Sequence, residues 1–235
     1  TSVRLWATRT GYSTFTGVKH FNRLLEQKPV VWVTPSRVSY DSLWLLPDRF
    51  TAPDEGVTQV FYDYSSLQAK WIRDPNQNVS EARYDAMGQV IRTTFWGTEW
   101  DDANQTVIDV GFDNLASHPT TSVSAEQAIA DSTVIGNMAS AMFYDSNSWM
   151  GLAPEGLLPN GVELGVLIPT GHLRASARAR LARGEYSSQI PAQTVAALLA
   201  LPREPAWSAV LQADRYPNDP QRQIRMQLSA SDGFG

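Results

Sequence analysis

Glu99, Asp101 and Asp102 place three carboxylates within four residues, just after a strand-like run. Two of them facing one cleft would supply the paired carboxylates of a glycoside hydrolase. A second acidic pattern starts at Asp74. Asp74, Asn76 and Asn78 fall where a calcium loop puts its first ligands, and Asp85 falls at the twelfth position. Val79 takes the sixth place, where that loop needs glycine, so the stretch reads as a turn and no metal is expected. His20, His118 and His172 are far apart and have no ligand spacing around them, which leaves them structural. There is no nucleophile elbow, phosphate loop or dinucleotide fingerprint, and no cofactor is expected. Asn78-Val79-Ser80 and Asn104-Gln105-Thr106 match the short glycosylation pattern and carry little weight.

A different spacing is more informative. Tyr40-Asp41, Tyr62-Asp63 and Tyr84-Asp85 recur at 22-residue intervals, and a fourth pair, Tyr144-Asp145, lies off that period. Two strands and two turns add up to roughly 20 residues, so one pair per hairpin would recur at about this interval. The Asp would accept backbone N–H bonds in the turn it opens, and Gly88, three residues after Asp85, would supply the positive φ that closes it. The Tyr would offer a packing face and a hydroxyl that can remain wet. At the same offset Asp41 is followed by Trp44, Asp63 by Ser66 and Asp145 by Ser148, so only one copy keeps glycine. Gly88→Val is therefore expected to weaken the structure more than Gly97→Ala.

The elements that must position these pairs come in two textures. From residue 30 to about 110 the chain alternates β-branched and aromatic residues with polar ones. The spacing predicts strands over 30–33, 57–62, 68–73, 79–84 and 89–96, separated by turn clusters at 52–56, 65–66, 74–78 and 86–88. Beyond Ser117 helical signals enter, at 124–130 with a capping residue and at 191–201 ahead of Pro202. The tail from 209 to 228 returns to strands around Tyr216-Pro217-Asn218-Asp219-Pro220. Arg174, Arg178, Arg180 and Arg183 lie opposite Leu173, Ala177 and Leu181, the pattern of a solvated helix face.

Composition excludes some classes. With 235 residues, 43% of them hydrophobic and 18% charged, the chain can bury a core without staples. It has no cysteine, hence no disulfide or thiolate metal site. A net charge of −5 argues against nucleic acid, and the absence of an 18-residue apolar run argues against membrane insertion. The ends carry no leader pattern and read as cuts in something longer.

"RYDAMGQVIRTT", Arg83 to Thr94, resembles the tyrosine-aspartate repeat of Rhs proteins. In order, "RLWATRTGYS", "VFYDYSSLQAKWIRDPNQNVSEARYDAMGQVIRTTFWGTE", "AMFYDSNSWM" and "DRYPNDPQRQIRMQLSASDGFG" resemble the B component of bacterial insecticidal toxin complexes, the family with an SpvB-like start. The likeness implies a mainly β fold: an antiparallel, winding meander of Rhs type with a few short helices in the C-terminal half. Residues 1–235 would form one shell segment, with 1–110 a strand-rich meander, 111–208 a mixed insertion and 209–235 returning strands. In that family the B component and the Rhs-like C component wind a hollow β-sheet shell around the toxic end of C, and the A component provides the pore. The implied partners are thus the C component with its toxic domain and, indirectly, A. The implied setting is a secreted complex, and the implied role is structural, with no enzyme activity. The repeat corners would be Tyr40, Asp41, Tyr62, Asp63, Tyr84, Asp85, Gly88, Tyr144 and Asp145.

Two other classes compete with this reading. A carbohydrate-binding or adhesive extracellular β-domain would use exposed aromatics such as Trp71 and Trp96 as a sugar platform. A hydrolase would need two of Glu99, Asp101 and Asp102 in one cleft.

Overall fold

A computed structural model describes residues 11–29, 34–117 and 123–231. The strand expected over 30–33, His118 and the outermost residues quoted from both ends lie outside the described residues. The chain divides into two compact units.

The first unit comprises Thr1–Thr121, Ile135–Ala141 and Gln212–Gln223. It is built on β1 (Tyr12–Phe15), β2 (Leu24–Lys28), β3 (Ser36–Tyr40), β4 (Pro47–Thr51), β5 (Val57–Asp63), β6 (Gln68–Arg73), β7 (Val79–Tyr84), β8 (Val90–Asp101) and β9 (Thr106–Gly111). Strands β1 to β8 lie side by side in sequence order, each pair antiparallel. The four expected strands from 57 to 96 are therefore consecutive neighbours in one sheet. Short polar loops between period-2 segments force this outcome, because a loop of two to five residues can only return a strand antiparallel to the one before.

Strand β8 is long enough to take two neighbours on the edge away from β7. Its second half, Trp96 to Asp101, pairs with β9, while Arg92 and Thr93 pair with Ala141 and Ser140. The β1, β2 and β4 strands had no clear sequence signal. Leu24-Leu25-Glu26-Gln27-Lys28 lacks both alternation and β-branching, and β4 opens on Pro47, which is tolerated at the first residue of a strand.

The second unit comprises Ser122–Val134, Met142–Leu211 and Ile224–Gly235. It holds α1 (Ala125–Ala130), α2 (Ala175–Ala182) and α3 (Ala192–Leu199), together with most of β10 (Ser140–Asp145) and β11 (Ala206–Ala213) and all of β12 (Ile224–Ser231). Those three strands are adjacent in that order. Helix α1 begins with a full capping box between Ser124 and Gln127, and α3 follows Pro191. Ala177 and Leu181 bury one side of α2 in an apolar cluster with Leu173, Val166, Ile190 and Leu198.

On the opposite side Arg174, Arg180 and Arg183 are exposed, as the arginine spacing predicts, but Arg178 turns inward. Arg178 donates to the carbonyls of Leu199 and Met150, so it caps α3 and anchors the chain ahead of Gly151. Arg174 donates to Leu167 O. Arg180 and Arg183 both pair with Glu185. A guanidinium beside unpaired carbonyls at a helix end is worth more bonded than solvated.

Candidate functional site

Three tyrosine-aspartate pairs stand at the same edge of the meander, because β3, β5 and β7 run in the same direction and each ends at its pair. At each one the ladder to the next strand slips by one residue just before the Tyr: between Ser39 and Tyr40, Phe61 and Tyr62, and Arg83 and Tyr84. A bulge of this kind re-aims the side chain that follows it. The re-aimed rings all do the same thing. Tyr40 donates to Leu24 O at 2.9 Å, Tyr62 to Pro47 O at 2.8 Å and Tyr84 to Ala69 O at 2.7 Å. Each acceptor sits at the start of the neighbouring strand that returns from the previous corner on that edge. The hydroxyls, which the sequence leaves able to remain wet, thus fasten each corner to the one before it.

The aspartates shape the corners themselves. Asp41 Oδ1 accepts the N–H groups of Leu45 and Leu46, Asp63 Oδ1 those of Ser65 and its hydroxyl, and Asp85 Oδ1 those of Met87 and Gln89. The backbone closes around Asp85 with Gly88 N–H donating to Asp85 O and Asp85 N–H to Gln89 O. Gly88 adopts φ 78°. The other two corners keep the left-handed residue without glycine: Trp44 at φ 59°, three after Asp41, and Leu67 at φ 56°, four after Asp63. Trp44 offsets that strain by stacking on His20 at 4.1 Å.

Neighbouring corners are tied twice. Tyr64 donates to Asp41 Oδ2 at 2.7 Å, and Gln68 Nε2 donates to Gly88 O at 2.7 Å. The electrostatics follow the bonding. Burial raises the Asp41 pKa, but the Tyr64 hydroxyl and the N–H groups of Leu45, Leu46 and Leu43 outweigh it and hold the carboxyl below its ordinary value. The Ser65 hydroxyl and N–H lower Asp63 in the same sense. Burial, with Asp48 and Asp41 nearby, raises Tyr62, and burial with Asp63 nearby raises Tyr84. All of these shifts favour a protonated phenol donating beside an ionised carboxylate.

One further corner escaped the sequence reading. Between β1 and β2 the ladder slips at Thr14/Phe15, and Thr16 Oγ1 accepts Arg23 N–H at 2.7 Å while donating to His20 O. Phe15-Thr16 therefore stands where the other corners have Tyr-Asp. An aromatic residue followed by a short oxygen-bearing one is the usable signal.

Tyr144-Asp145 ends β10 in the other unit. Asp145 Oδ1 accepts Asn147 N–H, as a turn-opening Asp does, but its carboxylate also meets buried His172 Nε2 at 3.1 Å. Thr170 Oγ1 lies 2.9 Å from the other ring nitrogen. The separation of 27 positions along the chain hid this pair from sequence reasoning.

The acidic cluster does not form one cleft. Asp101 is occupied by the N–H groups of Ala103 and Asn104 and the amide of Asn104, which close the β8–β9 turn. Glu99 lines a hollow of about 320 Å³ with Trp96 and Tyr216, and neither Asp101 nor Asp102 lines it. Asp74 likewise closes a turn, accepting the N–H and side-chain amide of Asn78. No group of three or more metal-ligating side chains occurs among the described residues. Trp71 is opposed by Phe61 across β5 and β6, with ring centroids 4.0 Å apart.

No protein-family model matches the chain, and a search of curated proteins returns no match. Solved structures do match. The TcdB2-TccC3 complex without its hypervariable C-terminal region aligns with a TM-score of 0.77 and 23% identity, over 96% of this chain and 10% of that one. TcdB2-TccC3-Cdc42 aligns at 0.73 and 24%, over 96% and 11%. The Tc holotoxin pore of Photorhabdus luminescens aligns at 0.73 and 24%, over 96% and 10%. The fold is that of a segment of these complexes, mainly antiparallel β with few short helices, and the chain spans about a tenth of each matched chain's length.

Proposed function

We propose that this chain is a wall segment of the B component of an insecticidal toxin complex, of the SpvB-like, Rhs-repeat kind. In that role it contributes part of a hollow β-sheet shell, closed with a C component, that encloses a cytotoxic domain before delivery through the A component. The observation carrying this reading is the row of corners at Tyr40-Asp41, Tyr62-Asp63 and Tyr84-Asp85, each fastened to its predecessor by a phenol hydroxyl. A strip built this way extends by repetition and keeps its curvature from the bulge at each Tyr. The fold it shares with TcdB2-TccC3 segments supports the same reading. The chain's role is structural rather than catalytic, and its setting is extracellular, as part of a secreted complex.

The test is co-expression of the complete protein with an Rhs-like C component. A stoichiometric complex whose C-terminal domain resists protease is expected. The Tyr62→Phe/Tyr84→Phe double variant should leave that domain more readily digested. A protein that fails to join the C component, or joins it without sheltering its end, would overturn the proposal.

A further inference from the structure

Val60, Ile72, Ser80 and Phe95 are directly opposed in turn across β5 to β8, and opposed residues share a face. Ile72 is 39% exposed and Phe95 45%, so this row is largely apolar and open. Along β8 the same face carries Gly97 and Glu99, two and four residues beyond Phe95. There the row meets the hollow of about 320 Å³, which Phe95, Gly97 and Glu99 line together with Asn78, Val110 and Tyr216. All of these residues belong to the first unit.

The chemistry of the lining is one-sided. Glu99 is its one charged residue, and among the described residues the carboxylate has no hydrogen bond or ion pair. Asn78 adds a second acceptor. Its Nδ2 donates to Asp74 Oδ2 at 3.0 Å, and its Oδ1 lies where a Cβ on residue 97 would stand 2.0 Å away. Glycine at 97 thus keeps open the place that this oxygen occupies. The remainder is aromatic: Tyr216, 40% exposed, meets Phe95 edge to face with centroids 6.1 Å apart. Arg215, beside Tyr216 in sequence, is taken by Asp219 at 3.2 Å and Gln221 at 2.9 Å. A lone carboxylate, an amide oxygen and exposed rings match a guanidinium, whose planar fork donates to several acceptors and stacks on aromatic faces.

We infer that this hollow receives an arginine side chain of a partner polypeptide, whose neighbouring apolar residues lie along Phe95, Ile72 and Val60. A polypeptide rather than a free cation follows from the row. Its three strand spacings make about 14 Å, the length of about four extended residues, and a free cation would leave that apolar stretch uncovered. The inference rests on this face alone and stands whether or not the chain is a shell segment.

The test uses the full chain and a fluorescent peptide, Val-Arg-Val-Ser-Val, followed by anisotropy at low salt. Saturable binding that weakens with added salt is expected, and the same peptide with citrulline in place of arginine should bind about tenfold more weakly. Glu99→Gln should cause a similar loss for the arginine peptide and little for the citrulline one. Ile72→Ser should weaken both peptides. Asp102→Asn, on the β8–β9 turn and outside the hollow, should change neither. Circular dichroism checks that the variants are folded. No saturable binding, equal binding of the two peptides, indifference to Glu99→Gln, or an equal fall with Asp102→Asn overturns the inference. So does agmatine displacing the arginine peptide at the peptide's own concentration, which would mark a small-cation site. Binding that ignores Ile72→Ser would remove the apolar contact and overturn the polypeptide occupant as well.

Discussion

Among the described residues between Tyr12 and Gly111, five side chains are buried, and four of them are polar: Thr16, Asp41, Arg92 and Thr94. Between Ala153 and Leu198, ten buried apolar side chains pack into one cluster. The contrast separates two ways of holding a fold. The helical stretch relies on area removed from water, which is non-directional. The meander is a single layer along much of its length and relies on directional bonds at its corners, where bulge, phenol and carboxylate repeat. Part of it, β5 to β8 and their turns, is written in local sequence patterns, whereas the helical stretch shows only composition and helix caps.

Substitutions can break this contrast or sharpen it. Leu173→Ala, at a fully buried site of the helical cluster, should cost about 2–5 kcal/mol in chemical denaturation, the largest loss of the set. Gly88→Val should cost about 2 kcal/mol, because a β-branched residue is forced to φ 78° and its Cβ would approach Gln68 Nε2 at 3.0 Å. Gly97→Ala should cost about 1 kcal/mol. Its Cβ would meet Asn78 Oδ1 at 2.0 Å, but that amide end can move away at the expense of its bond to Asp74. A reversed order of the two glycines in thermal melts would contradict the corner geometry. Tyr84→Phe removes one fastening and leaves Ala69 O without its donor, for about 1 kcal/mol. A loss below measurement would show that the hydroxyl tie is dispensable.

Two smaller effects complete the comparison. Leu67→Gly should stabilise by about 0.5 kcal/mol, since Leu67 is exposed and left-handed at φ 56°. The corner carboxylates Asp41 and Asp63 have folded values below their ordinary ones. Their contribution is present above the unfolded value of about 4 and is lost as pH falls through the lowered folded value. Acid titration below pH of about 4 should therefore weaken the meander, and Asp63→Asn should flatten that loss. An unchanged acid profile in Asp63→Asn would remove the carboxylate from the account.

What could be read in advance follows the range of the interactions. Strands β5 to β8 and the corners at Asp63 and Asp85 are local patterns of a few residues, and they were legible. So were α1, through Ser124 and Gln127, and α3, through Pro191. The tyrosine acceptors lie 15 or 16 residues back and depend on register, which no local pattern encodes. Arg178 was misread for a similar reason, since its carbonyl acceptors come from segments 21 and 28 residues away. Trp44 and Leu67 concealed two left-handed positions because the glycine that advertises them is missing.

The fork at β8 sets an order of assembly. Each meander strand meets its neighbour across a short loop, and β9 returns on β8 after the turn at Asp101, so these contacts form with little loop-closure entropy. The joint between Thr93 and Ser140, sealed by their hydroxyls 2.6 Å apart, spans 47 residues. Contacts of such sequence separation form late. On a ribosome the corners can therefore settle one after another as they emerge, and β8 keeps half of its edge open until the chain has been made through Ala141.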